Sequence, residues 1–282
     1  MKNRFWKYFK KALISILVLA VAILFVLPVI YTIVCSFKPE ADILAWPPTW
    51  IPKTWTLDNY REALSKYNFL KWMRNSLIVS ACVTVIAVVV DALAGYAFAR
   101  LKFRGKKGLF ALVVSMLLIP MQVYVVPMYL MFNEVKLLNT FTAVILPLAA
   151  TVTGVYLLKG FFSTVPNEMV EAAYIDGANE FQLFFRVMLP LSKTSLASVA
   201  ILNFVQSWNN FLWPMIVTRS DDVKTLPVGI SQYVGASGTG MVAPRYGLSL
   251  ASAVMALVPT IVIFLCLQKY FVRGIMTTGM KN

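Results

Sequence analysis

Asn203, Gln206, Ser207 and Asn210 stand at i, i+3, i+4 and i+7 within an otherwise apolar run, a spacing that puts all four on one face of a helix. Amides and a hydroxyl donate and accept hydrogen bonds without a counter-ion, so this face can meet the hydroxyls of a neutral solute along a path. Hydrogen bonding between helices is the other reading of the same face. A second group sets carboxylates beside small and chain-breaking residues: Glu171, Ala172, Ala173, Asp176, Gly177 and Pro190. Its carboxylates can accept bonds from the arginines, lysines or backbone amides of another chain, and its alanines let that chain approach closely. Asp91 is the only formal charge inside the long apolar runs. A carboxylate at the bilayer centre costs about 2.5–3.5 kcal/mol, so Asp91 is either a gating contact or a helix–helix hydrogen bond, with the second favoured. Enzymatic chemistry finds little support. The chain has no histidine, its three cysteines (Cys35, Cys82, Cys266) follow no metal or disulfide spacing, and no nucleophile–base pair can be placed.

The elements that must position these groups are membrane helices. Of the 282 residues 59% are hydrophobic and 13% charged, against roughly 25% charged in soluble domains. Residues 12–34, 108–132, 137–158, 194–218 and 246–268 contain no Asp, Glu, Lys or Arg, and residues 76–99 contain only Asp91. Crossing a bilayer takes about 20 apolar residues, so the expected fold is an all-α membrane protein of six transmembrane helices, in one domain over 1–282. The runs lack the alternation of a membrane barrel. The first is too long for a signal peptide and no small-x-small cleavage site follows, so it is expected to be retained. All spans but the second contain proline, which kinks helices.

The net charge of +14 reports topology rather than a nucleic-acid partner. With the N-terminus inside, the inner segments 1–11, 100–107, 159–193 and 269–282 hold sixteen Lys and Arg against ten outside. That is the positive-inside pattern, resting mainly on Arg100, Lys102, Arg104, Lys106 and Lys107 in one short loop. Both termini and the segment 159–193 are thereby expected in the cytoplasm. Outside, residues 57–72 read as an amphipathic interfacial helix carrying Leu57, Tyr60, Leu64 and Tyr67. The glycines Gly235, Gly238 and Gly240 lack the Gly-Lys-Ser/Thr of a phosphate loop and read as a flexible tongue.

Segment 159–193 itself reads as a two-helix handle. Pro166 suits a first turn, Glu168 and Glu171 suit a helix N-terminal end, and Gly177 suits the position after a helix. Asn179 and Gln182 have capping-box spacing for a second helix, with Phe181, Phe184 and Phe185 as its apolar face. Pro190 falls where the chain turns back toward the fifth span.

Glu171-Ala172-Ala173, Gly177 and Val187-Met188-Leu189-Pro190 together resemble, in order and spacing, the EAA loop of bacterial ABC importer permeases. The string Glu171 to Ala178 looks like the carbohydrate branch, within it the maltose-type second permease. Gly95-Tyr96-Ala97-Phe98-Ala99-Arg100, Trp208-Asn209-Asn210-Phe211-Leu212-Trp213-Pro214, Leu226-Pro227-Val228-Gly229 and the tail Gln268 to Gly274 are similar too, so the resemblance covers essentially residues 12–282. It implies a multi-pass subunit of the bacterial cytoplasmic membrane that is no enzyme and binds no cofactor. ATP and magnesium belong to two partner ATPase subunits, whose grooves would receive the helix carrying Glu171. It also implies a second permease subunit, an extracytoplasmic binding protein that delivers a sugar, and contact between the 231–245 tongue and that protein. In the maltose-type family the sugar contacts fall mainly on the other permease. An ion-coupled secondary transporter is the rival reading, but it would use coupling carboxylates at mid-membrane. An importer of glycerol-phosphate-type solutes is a second alternative, disfavoured by the lack of basic residues in the spans.

Overall fold

Breaks, two of them set by proline, divide the apolar runs into more helices than hydropathy suggests. The computed structural model describes residues 2–234 and 244–279, and every regular element among them is helical. The helices are α1 (Lys2–Ser36), α2 (Glu40–Ile43), α3 (Asp58–Lys66) and α4 (Phe69–Arg100). Next come α5 (Lys106–Ser115), α6 (Met121–Glu134), α7 (Phe141–Ile145), α8 (Val152–Thr164) and α9 (Asn167–Ile175). The remainder are α10 (Glu180–Gln182), α11 (Leu189–Leu191), α12 (Lys193–Trp208), α13 (Leu212–Val217), α14 (Leu226–Ser231) and α15 (Tyr246–Gly279).

Among the described residues, three stretches are long and apolar enough to cross a membrane unbroken: Tyr8–Ser36, Phe69–Arg100 and Tyr246–Cys266. Three further pairs qualify only when two bent pieces are counted as one, giving three to six spans. The 108–132 run is one of these pairs and bends by 101° at Ile119–Pro120. The proline ring excludes the helical conformation from the residue before it, and Ile119 accordingly has φ −96° and ψ 109°. Phe141–Leu148 and Val152–Thr164 meet at 41°. The expected fifth span, 194–218, also divides. Pro214 cannot donate to the carbonyl four residues back and its ring would strike that carbonyl, so α12 stops at Trp208 and α13 starts afresh.

The chain forms two units. One comprises residues 1–69 and 230–257. Here Asn59 organises the loop after α1, its amide donating to Ser36 O at 3.0 Å and Lys38 O at 2.9 Å. Tyr60 and Ser36 hydroxyls pair at 2.6 Å. Glu40 accepts from the amides of Tyr246 (2.7 Å) and Gly247 (2.9 Å) at the start of α15, and Arg245 clasps Glu62 at 2.6 Å. The amphipathic helix expected over 57–72 ends at Lys66, because Tyr67 is extended (φ −120°, ψ 162°). Its buried positions are Asn59 and Ala63, while Leu57, Leu64 and Tyr67 are exposed.

The other unit comprises residues 70–229 and 258–282, and two apolar clusters lie among its described residues. One joins Ala92, Tyr96, Leu158, Phe162, Leu183, Phe184, Met188 and Val199, so the base of the 159–193 segment packs on α4, α8 and α12. The second gathers Val79, Val83, Ala143, Val144 and Val217 around Trp213, whose indole N–H donates to Ala143 O at 2.7 Å.

Candidate functional site

Asp91 is fully buried on α4 and sits against the start of α8. Thr151 caps that helix, its hydroxyl oxygen accepting from the Gly154 amide at 3.1 Å. The same hydroxyl donates to Asp91 Oδ2 at 2.6 Å, and the Thr151 amide donates to Oδ1 at 2.8 Å. Asn203 Nδ2 of α12 adds a long contact to Oδ2 at 3.4 Å. Three helices thus meet on one carboxyl group, at the positive end of the α8 dipole, where an anion is favoured. The carboxyl reaches the backbone only because residue 154 has no side chain: a Cβ there would lie 1.9 Å from Asp91 Oδ2. Gly95, one turn further along α4, plays a similar part, a Cβ meeting the Lys159 amide nitrogen of α8 at 2.9 Å.

The segment 159–193 hangs from the far end of the same helices. Arg100 donates to Phe162 O at 2.9 Å, to Val165 O, and to Asn167 Oδ1 at 2.7 Å, so it grips the end of α8 and the start of α9 together. At the other end of α9 the chain reverses at Gly177 (φ 79°), with Ala178 N bonded to Ala173 O at 2.9 Å and Gly177 N to Tyr174 O at 3.0 Å. This is the paired-bond helix stop that a left-handed residue permits. Asn179 and Gln182 then form the capping box. Glu180, between them, takes the Tyr96 hydroxyl on Oε2 and the Tyr174 hydroxyl on Oε1, both at 2.6 Å. The bond to Glu180, followed by partial burial, raises the Tyr174 phenol pKa. Leu183–Met188 widens into a π-helical turn, and Glu180–Leu191 meets α12 at 79° around the buried Ser192.

The outward side of this hairpin is mixed. Glu171, Ala172, Asp176, Gly177 and Pro190 are exposed, and Ala173 is half-buried. Around them Ile175 (85% exposed), Phe181 (75%), Phe185 (57%) and Tyr174 (45%) present apolar surface. Of the three phenylalanines expected to form one face, only Phe184 is buried.

The four polar groups of the fifth run do not act as one face. Asn203 is buried against Asp91, Ser207 Oγ is buried without a partner, and Gln206 is exposed. Asn210 lies beyond the end of α12, in the break ahead of Pro214. Asn203 and Gln206 do share a cleft of about 290 Å³ with Thr153, Gly154, Val199 and Leu202. Gly235, Gly238 and Gly240 lie outside the described residues. Sequence reasoning missed Thr151 and Gly154 at the Asp91 junction, and Tyr96 and Glu180 as anchors of the hairpin. A threonine before an apolar run was the one available signal for the α8 start; the other pairings span 60 to 112 residues and left no local trace.

Comparison with known proteins agrees with this architecture. The chain is 36% identical over 265 residues to the arabinooligosaccharides transport system permease protein AraQ of Halalkalibacterium halodurans, covering 93% of each chain. It is 29% identical to the sn-glycerol-3-phosphate transport system permease protein UgpE of Rhizobium meliloti, covering 94% of this chain and 96% of that one. Its fold matches a chain in the crystal structure of a bacterial ABC transporter involved in import of the acidic polysaccharide alginate, with TM-score 0.78, 20% identity and coverage of 96% and 98%. Residues 91–277 match the family described as binding-protein-dependent transport system inner membrane component, a run that opens at Asp91 and takes in the whole hairpin. The chain is therefore a member of that family: a membrane-embedded transport component of the ABC permease fold rather than an enzyme.

Proposed function

We propose that this chain is one permease of an ATP-driven importer and carries an oligosaccharide handed over by an extracytoplasmic binding protein. The observation that carries the reading is the hairpin. Its exposed face sets Glu171 and Asp176 within a rim of apolar side chains, while its base is tied to α4 and α8 through Arg100, Glu180 and a shared apolar core. A partner pushing on that face moves membrane helices directly. Both termini and the hairpin lie in the cytoplasm, a placement supported by the excess of Lys and Arg in the inner segments. ATP and magnesium bind two partner ATPase subunits, a second permease completes the pathway, and Glu171, Ala172, Ala173, Asp176, Gly177 and Pro190 form the coupling surface. Gln206, beside Asn203, lines the path; Asn203 holds Asp91, and Ser207 and Asn210 are helix-packing groups. The 235–240 tongue meets the binding protein.

Oligosaccharide is favoured because the arabinooligosaccharide relative is the more similar of the two, and the spans lack the basic residues a phosphorylated solute would want. The glycerol-phosphate relative keeps that solute class as the second reading. The test is uptake and ATP hydrolysis by the reconstituted transporter. Glu171→Lys is expected to lower both binding-protein-stimulated ATPase and uptake at least tenfold. Gly177→Val adds about 1–2 kcal/mol of backbone strain, with nothing within 4 Å to clash, and is expected to act in the same direction. Normal transport by both variants would end the coupling claim, and normal uptake by Gln206→Leu would remove that residue from the path.

A further inference from the structure

The turn between α4 and α5 carries more charge than the fold and the hairpin use. Arg100, Lys102, Arg104, Lys106 and Lys107 lie within eight residues that contain no acid. Two of them are occupied locally. Arg100 holds the α8–α9 corner, and Lys106 Nζ donates to the carbonyls of Ala99 in the last turn of α4 (3.2 Å) and of Leu101 just past it (2.9 Å). Lys102, Arg104 and Lys107 are exposed and make no ion pair with any described carboxylate. A sixth cation, Lys159, stands 4.3 Å above the Phe110 ring on the first turns of α5. Gly105, at φ 81°, folds the turn over a cleft of about 440 Å³ lined by Leu101, Lys102, Phe103, Lys106 and Lys107. Phe103 packs against Phe98, yet 40% of its surface stays exposed, as does 48% of Leu109.

We propose that this turn is a binding site for the phosphate headgroup of an anionic phospholipid. The turn joins two helices that run into the bilayer, so its cations sit where headgroups lie. Uncompensated lysines and an arginine supply charge for a phosphate. Phe103 and Leu109, exposed among them, supply apolar surface that an acyl chain would cover.

Phosphatidylglycerol and phosphatidylcholine are the probes, titrated into the full-length chain extracted with the subunits that remain bound and read by native mass spectrometry. Phosphatidylglycerol is expected to bind selectively, and to weaken with salt. Each surface cation contributes about fivefold to anionic lipid affinity, so Lys102→Gln/Arg104→Gln/Lys107→Gln is expected to lose about a hundredfold. Lys102→Arg/Arg104→Lys/Lys107→Arg is expected to keep it, and melting curves of both variants report folding. Wild-type affinity in the glutamine variant would overturn the proposal. So would displacement of the lipid by millimolar inorganic phosphate, which would make this a soluble-anion site. Loss of a partner chain from the glutamine variant with lipid binding intact would make it a protein-docking surface instead.

Discussion

Two glycines on α8 are expected to respond to alanine in opposite directions. At Gly160 nothing lies within 4 Å of the place a methyl carbon would take, so Gly160→Ala only removes backbone freedom and is expected to stabilise by about 0.5–1 kcal/mol. At Gly154 the new methyl carbon would stand 1.9 Å from Asp91 Oδ2 and 2.6 Å from its Cγ. The carboxyl must retreat until ordinary contact, 3.4 Å, is restored, which takes it out of reach of the Thr151 hydroxyl now at 2.6 Å. Side-chain hydrogen bonds within membranes are worth about 0.6 kcal/mol on average and up to about 1.7, so losing the two Thr151 bonds costs about 1–3 kcal/mol. A carboxyl left unpaired in the apolar interior adds to that. Gly154→Ala is therefore expected to unfold more easily by about 2–4 kcal/mol, measured by SDS titration in mixed micelles with far-UV circular dichroism. Because the two shortest clashes are with the Asp91 side chain, Asp91→Ala/Gly154→Ala is expected to cost less than the two single changes added together. If Gly154→Ala is as stable as Gly160→Ala, or if the two costs simply add, Asp91 does not hold these helices in the manner described.

Two further outcomes follow from the anchors. Glu180→Gln removes the charge that both tyrosine hydroxyls address, so the Tyr174 phenol, held above its usual value by that bond, is expected to titrate at lower pH; ultraviolet difference titration against Tyr174→Phe reads the shift. In the wild type this contribution to stability is complete below the usual tyrosine range and is lost as pH rises through the raised value. Glu62, held below the usual carboxylate range first by its hydrogen bond to Arg245, has the opposite sign: its contribution is present at neutral pH and disappears as pH falls through the lowered value. Protection of the α3 amides, with exchange rates corrected for their intrinsic pH dependence, is expected to fall at acid pH in the wild type, and Glu62→Gln is expected to show that loss already at about pH 7, where the wild-type carboxylate is still charged.

The hairpin was the most legible part of the chain because its signals are local. Gly177, Asn179, Gln182 and Pro190 act on their near neighbours in the chain, and the left-handed turn and the capping box stand where their spacing puts them. The spans were legible as helical apolar runs, but where each run bends or breaks was not. Proline effects decide whether a run bends or breaks, and Pro120 and Pro214 break theirs while Pro28 and Pro259 stay inside continuous helices. The polar face on α12 shows the limit of periodicity. Asn210 falls beyond the end of that helix, and for the other three a period says which residues share a side, not what that side meets.

Composition and local chemistry by themselves determined that this is a helical membrane protein with a polar hairpin, since burial of some twenty apolar residues per run admits few other solutions. Only the tertiary structure decided that Asp91 ends on the amide of Thr151, that Gly154 must be bare to allow it, and that Tyr96 and Arg100 bolt the hairpin to the membrane helices. Those bonds join residues 60 to 84 positions apart. Their partners are chosen by how the helices pack, and no local pattern in the chain encodes that choice.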